Sequence, residues 1–170
     1  MSKTLLETIN LKKTYKHING DITLFNNLNL KVKYGDLIAL VGPSGSGKSS
    51  LLHLFALLDE PSKGKILLNN KETKNLSDNQ KDEVRRKNIS IIFQDNNLLT
   101  DFTAIENVMM PLLIKGENQK NILVKANQIL KDVKIINRSN HFPSELSGGE
   151  QQRIAIARAL ISETSLILAD

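Results

Sequence analysis

Apolar and polar residues alternate along ITLFNNLNLKV, residues 22–32, the period of a strand with one covered and one exposed face, as in an antiparallel sheet. YGD at 34–36 supplies its turn. LIALV at 37–41 is a continuous apolar run between that turn and a glycine, which predicts a strand buried on both faces. It leads straight into GPSGSGKSS. SSLLHLFALL at 49–58 has helical length and apolar content and ends near Asp59 and Pro61. KILLNN at 65–70 predicts an edge strand, and ISIIF at 89–93 a second buried, parallel one. In AIENVMMPLLIKG (104–116) and NILVKANQILKDV (121–133) the apolar residues fall three and four apart, so this middle stretch reads as a mostly helical insert. LSGGEQQRIAIARALI then leads a helix into SLILAD at 165–170, a third apolar run of strand length. Buried strands alternating with helices predict an α/β fold with a largely parallel sheet.

Composition narrows the possibilities. With 170 residues and 40% hydrophobic content, one sizeable core is affordable. There is no cysteine, which removes disulfides, thiolate metal sites and a cysteine nucleophile. His17, His53 and His141 stand singly, without partners at metal-ligand spacing. The longest apolar runs fall far short of the roughly 20 residues of a membrane helix, and Glu7 interrupts any signal-peptide core, so a cytoplasmic location is expected. The net charge of +5 is spread among acids, as in KETKNLSDNQKDEVRRK at 71–87, which reads as a solvated face; no nucleic-acid partner is expected.

GPSGSGKS, residues 42–49, satisfies the GxxxxGK-Ser/Thr pattern and lies between a predicted strand and a predicted helix. That placement lets backbone N–H groups of the loop from Gly42 to Gly47, Pro43 apart because it has no N–H, surround phosphate oxygens, with the positive end of the helix behind them; Ser44, Gly45 and Ser46 lie within that loop. Lys48 would reach the β- and γ-phosphates and the Ser49 hydroxyl would ligate Mg²⁺, and the whole run from Gly42 through Pro43, Ser44, Gly45, Ser46, Gly47, Lys48 and Ser49 to Ser50 is the expected nucleotide-binding segment. A nucleoside triphosphate is the expected ligand. The cradle alone leaves kinases, GTPases, helicases, recombinases and transporter ATPases open.

LSGGE at 146–150 opens a second helix with Ser147, an N-cap residue, followed by Gly148 and Gly149, which would weaken a first turn and so suit a backbone that a ligand approaches. It reads as another anion-binding helix N-terminus. Together, LSGGEQQRIAIARAL, the SLILAD strand shortly after it and GPSGSGKSS upstream closely resemble the ATP-binding cassette family of transporter ATPases. The resemblance implies a P-loop NTPase with a mostly parallel sheet, an N-terminal antiparallel β subdomain and a helical subdomain. It divides the chain into a nucleotide-binding core with β subdomain (1–94), a helical subdomain (95–145), and the signature helix with the strand carrying Asp170 (146–170).

The resemblance further implies that ATP and Mg²⁺ are bound and that ATP is hydrolysed. Ser147, Gly148 and Gly149 would close over ATP held by the P-loop of an opposite subunit, so a second cassette, a copy of the same chain, is an expected partner. Tyr15 matches the aromatic that stacks on adenine. Gln94 matches the glutamine that senses Mg²⁺ and attacking water, and Asp170 the aspartate that holds Mg²⁺, so Lys48, Gln94 and Asp170 are the catalytic candidates, and Ser49, Gln94 and Asp170 the metal candidates. Transmembrane permease subunits would dock beside Gln94, with DNNLLTDF at 95–102 as the docking patch and the protein peripheral to the cytoplasmic face of a bacterial inner membrane.

LLTDFTAIENVMMPLLIKG at 98–116 and NHFPSELSGGE at 140–150 resemble more narrowly the ATPases of bacterial lipoprotein-releasing systems, a group in which Glu150 replaces the commoner glutamine. Macrolide or peptide exporters and the cell-division ATPase remain open at this stage, as do soluble cassettes of DNA repair or translation. The family places a general-base glutamate directly after the aspartate matching Asp170, the last residue. On this reading the chain is a C-terminally incomplete cassette and is expected not to hydrolyse ATP at a normal rate.

Overall fold

The computed structural model describes residues 3–18 and 20–170 and divides into two compact units, residues 1–85 and 86–170. The first is built on an antiparallel sheet of four strands in the order β2-β1-β3-β4: β1 (Thr4–Tyr15), β2 (Ile22–Lys33), β3 (Lys63–Leu68) and the short β4 (Lys71–Glu72). β2 shows the half-exposed alternation expected of it from Asn27 onward, while before Asn27, at a positive φ of 58°, exposure changes in pairs; the turn after it is closed by Asp36 N–H to the Lys33 carbonyl and by Lys33 N–H to the Asp36 carboxylate.

β1 is the central ribbon. Its Leu5, Leu6 and Leu11 are buried with Leu54 and Phe55 of α1 (Lys48–Phe55) and Ile66 and Leu68 of β3. Between Thr8 and Leu11 the ladder slips: the Thr8 hydroxyl donates to the Leu28 carbonyl and accepts from Leu30 N–H, while Asn10 turns to a positive φ of 49°. The bulge brings the Asn10 backbone against β3, where a Cβ on Gly64 would stand 2.3 Å from the Asn10 carbonyl oxygen. Only glycine fits there, and its φ of 80° asks for glycine as well.

α2 (Asp78–Asn88) has no buried residue and is held by its charges: Lys81 pairs with Glu60 at 2.5 Å, and Arg85 Nη1 donates to the Leu57 carbonyl at 2.7 Å.

The second unit pairs β5 (Ile89–Ile92) in parallel with β6 (Leu166–Ala169) and packs three helices, α3 (Ala104–Ile114), α4 (Gln119–Asp132) and α5 (Gly148–Leu160). Each helix turns one stripe inward: Ala104, Val108 and Leu112; Ile122, Ala126 and Leu130; Ile154, Ala157 and, just past α5, Ile161. Spacing by three and four is what the sequence shows, and α4 starts two residues earlier than its apolar pattern because the Asn118 side chain caps it through Lys120 N–H. α5 lies against β5.

One expected element is absent. Residues 37–41 belong to neither sheet, and Leu37 is fully exposed and Val41 89% exposed. An apolar run becomes a buried strand only when neighbouring strands take up its N–H and C=O groups, and no ladder among the described residues does so. The parallel pairing expected of the sheet is realised by β5 and β6.

Candidate functional site

In the first unit the chain between residues 41 and 48 folds as a loop that ends in the left-handed Gly47 (φ 91°), the residue before α1. A Cβ there would come within 3.0 Å of Leu24 Cβ on β2, so the missing side chain is what lets the loop lie on the sheet. No side chain caps α1, and its first turn carries no acidic residue. The first N–H groups of the helix therefore stay available to an anion, backed by the helix dipole. Lys48 Nζ donates to the Gly42 and Pro43 carbonyls at 2.9 and 2.8 Å, which folds the ammonium over the mouth of the loop. Ser46 N–H closes the loop onto the Pro43 carbonyl. Gly45, Ser44 and Ser49 are exposed. The donor set suits a polyphosphate: oriented amides, an ammonium and a hydroxyl, without a carboxylate to repel it.

Tyr15 ends β1 opposite Ile22. Two residues on, Leu24 touches Gly47, so this end of the β1–β2 ladder carries both the tyrosine and the Gly-rich loop. The residue is 41% exposed, and its hydroxyl donates to Asp59 Oδ2 at 2.9 Å.

In the second unit, Gln94 and Asp170 follow the paired ends Ile92 and Ala169 of β5 and β6, and Asp170 N–H donates to the Ile92 carbonyl at 3.0 Å. Both are exposed at the carboxyl edge of a parallel pair, where open α/β sheets receive ligands. A carboxylate and an amide oxygen are hard donors of the kind Mg²⁺ takes when it keeps waters and phosphate oxygens as its other ligands. Among the described residues no group of three or more His, Asp or Glu side chains is placed to hold a metal by itself.

Ser147 caps α5, accepting from Glu150 N–H at 3.4 Å, while Glu150 Oε2 accepts from Ser147 N–H and from its hydroxyl, each at 2.8 Å. The Ser147 amide, then the Ser147 hydroxyl, then Arg138 at 3.0 Å from Oε1 hold the Glu150 carboxyl down at about 2. The glycines are not needed by this cap: a Cβ on Gly148 or Gly149 would meet nothing within 4 Å, so their backbone is open to an incoming group.

Two residues without a sequence signal shape the loop after Gln94. Arg158, desolvated on α5 so that its pKa is lowered, donates Nη2 to the Asn96 carbonyl and Nη1 to the Asn97 carbonyl, both at 2.7 Å. Asn107, fully buried on α3, accepts from Leu99 N–H at 2.8 Å and donates to the Leu99, Phe102 and Thr103 carbonyls at 3.0, 3.0 and 3.1 Å. Within 95–102, Leu98 packs on the helical core while Leu99 and Phe102 remain exposed. Among the described residues no helix is long and apolar enough to cross a membrane.

Against known proteins, the ABC transporter family profile matches residues 25–170. The chain is similar to the lipoprotein-releasing system ATP-binding protein LolD of Colwellia psychrerythraea (48% identity, all of this chain and 66% of the relative). It is also similar to the proteins of that name from Rickettsia bellii and Treponema denticola (45% and 43%, all of this chain and 75% of each). The chain thus spans about two thirds to three quarters of the length of these relatives.

The fold is similar to that of the ATP-binding cassette MJ0796, described as a dimer in a post-hydrolysis state bound to ADP and Pi (TM-score 0.92, 39% identity, 98% of this chain and 73% of that one). It also resembles cbiO1 of Clostridium perfringens, part of the ABC transporter complex cbiONQ (TM-score 0.83, 26% identity, 99% and 65%).

Proposed function

Because the chain belongs to the ABC transporter family, we propose that it is the ATP-binding subunit of a lipoprotein-releasing transporter and couples ATP hydrolysis to extraction of lipoproteins from the bacterial inner membrane. The observation that carries this is identity of 43–48% along the whole chain with three relatives of that name from distinct bacteria.

In this reading the amides of residues 42–49 and the Lys48 ammonium bind the β- and γ-phosphates, and Lys48 exchanges its two carbonyl acceptors for phosphate oxygens. Tyr15 stacks on adenine. Ser49, Gln94 and Asp170 are the groups that would hold Mg²⁺, which supplies charge neutralisation on the transferred phosphoryl group. Gln94 orients the attacking water. Ser147, Gly148 and Gly149 face the nucleotide of a second copy of the chain, their open backbone donating to its phosphate oxygens. The core at 1–94, the helical part at 95–145 and the segment 146–170 then divide the labour as phosphate binding, coupling and closure. Leu99 and Phe102, exposed on a firmly tied loop, suit docking of transmembrane permease subunits, with the protein peripheral at the cytoplasmic face.

Replacement of the resident ATPase in a bacterium depleted of its own tests this reading. The full protein is expected to restore lipoprotein release, and Lys48→Ala to abolish both release and nucleotide binding. Support of macrolide or peptide export with no effect on lipoprotein release overturns the assignment.

A further inference from the structure

Lys13 is a lysine that the fold has buried. It is 7% exposed on β1, and three groups receive its ammonium: Asp59 Oδ1 at 2.7 Å, the Glu60 carbonyl at 2.8 Å, and the Tyr15 ring, whose centroid lies 4.6 Å from Nζ. Asp59 Oδ2 accepts the Tyr15 hydroxyl. The carboxylate therefore takes Lys13 with one oxygen and Tyr15 with the other, and the ammonium closes the triangle against the ring. Burial opposes ionisation of Asp59, but hydrogen bonds from Lys13, Tyr15 and the Glu60 amide outweigh it and leave its pKa below the ordinary value.

A tyrosine that merely finishes a strand needs none of this, since its hydroxyl is satisfied by water. Taking a lysine out of water is costly unless it is fully paired. The arrangement fixes the ring at both ends, at Cβ by the strand and at the hydroxyl by Asp59. It also commits one face to a cation, and at 41% exposure the residue remains within reach of a planar partner. A side chain already held in one rotamer loses little entropy when something stacks on it.

We propose that Asp59 and Lys13 are positioning residues for base recognition, presetting the Tyr15 ring as the surface on which the nucleotide base stacks. The proposal rests on the reading of Tyr15 as the base-stacking residue and adds what orients it. The competing role for the pair is to tie β1 to the turn between α1 and β3, which would support the fold without bearing on the base.

The discriminating measurement is equilibrium binding to the full protein of Mg-ATP and of Mg-tripolyphosphate, which shares the phosphates and lacks the base. Tyr15→Ala is expected to weaken ATP about tenfold and leave tripolyphosphate unchanged, a ratio that corresponds to about 1.4 kcal/mol. Tyr15→Phe keeps the ring, disturbs no buried charge and removes only the bond to Asp59; it is expected to weaken ATP about threefold with tripolyphosphate again unchanged. Asp59→Asn should act in the same direction and add nothing in the Tyr15→Ala background. Should Asp59→Asn fail to fold, Tyr15→Phe decides alone. Full ATP affinity in Tyr15→Phe while Tyr15→Ala loses it overturns the positioning role. So does an Asp59→Asn loss shared equally by ATP and tripolyphosphate. Unchanged ATP affinity in Tyr15→Ala instead removes the base-stacking reading itself.

Discussion

Glu150 stabilises its own helix terminus, and the consequence is a pH dependence with a definite sign. Its folded value of about 2 lies below the ordinary 4.5, so its contribution is complete above about pH 4.5 and is lost as pH falls toward 2. The first turn of α5 is expected to loosen over that window. Following the Ser147 and Glu150 amide resonances through an acid titration checks this, and Glu150→Gln, which keeps the capping-box shape without the titrating charge, should lose the transition. Gly64 gives a second expectation at this scale. Gly64→Ala meets the Asn10 carbonyl at a backbone angle that disfavours any side chain, and should destabilise the protein by about 2 kcal/mol or more in denaturant unfolding. Neither effect is visible from residue type. Glu150 can be read as part of a capping box, but its tie to Arg138 and the closeness of Gly64 to Asn10 are set by how distant segments meet.

Between elements, the loop after β5 is held from two helices. Arg158 on α5 grips its left-handed residues Asn96 and Asn97, and Asn107 on α3 grips its far end. Arg158→Met is expected to leave helix content intact and open 95–97 to protease; Arg158→Lys should rescue only partly, because an ammonium lacks the planar fork. Asn107→Ala orphans the buried Leu99 N–H and should cost about 2 to 3 kcal/mol. Elements with a clean period are legible in the sequence: β2, α3, α4 and α5 all fall where alternation or three-and-four spacing puts them. β1 is not, because its bulge at Thr8 to Leu11 breaks the alternation and a buried Lys13 reads as a surface residue. α2 is not, because a helix that buries nothing shows no apolar stripe.

For the molecule as a whole, the second unit depends on one hydrophobic cluster formed where three helices meet. Leu130→Ala, at a fully buried position, should destabilise by about 2 to 5 kcal/mol in equilibrium unfolding. The Gly-rich loop before α1 was legible as a loop because contiguous residues build it. The cluster of Lys13, Asp59 and Tyr15 was not, since Lys13 and Asp59 lie 46 residues apart and only the fold introduces them. Residues 37–41 show the reverse failure: their composition announces a strand, but composition does not supply neighbours. They also give the Gly-rich loop unequal supports, a hydrogen-bonded helix on one side and, among the described residues, backbone outside any ladder on the other. In heavy water the amides of 37–41 should therefore take up deuterium well before those of β1, and slowed uptake there on adding nucleotide would clock ligand arrival without any turnover.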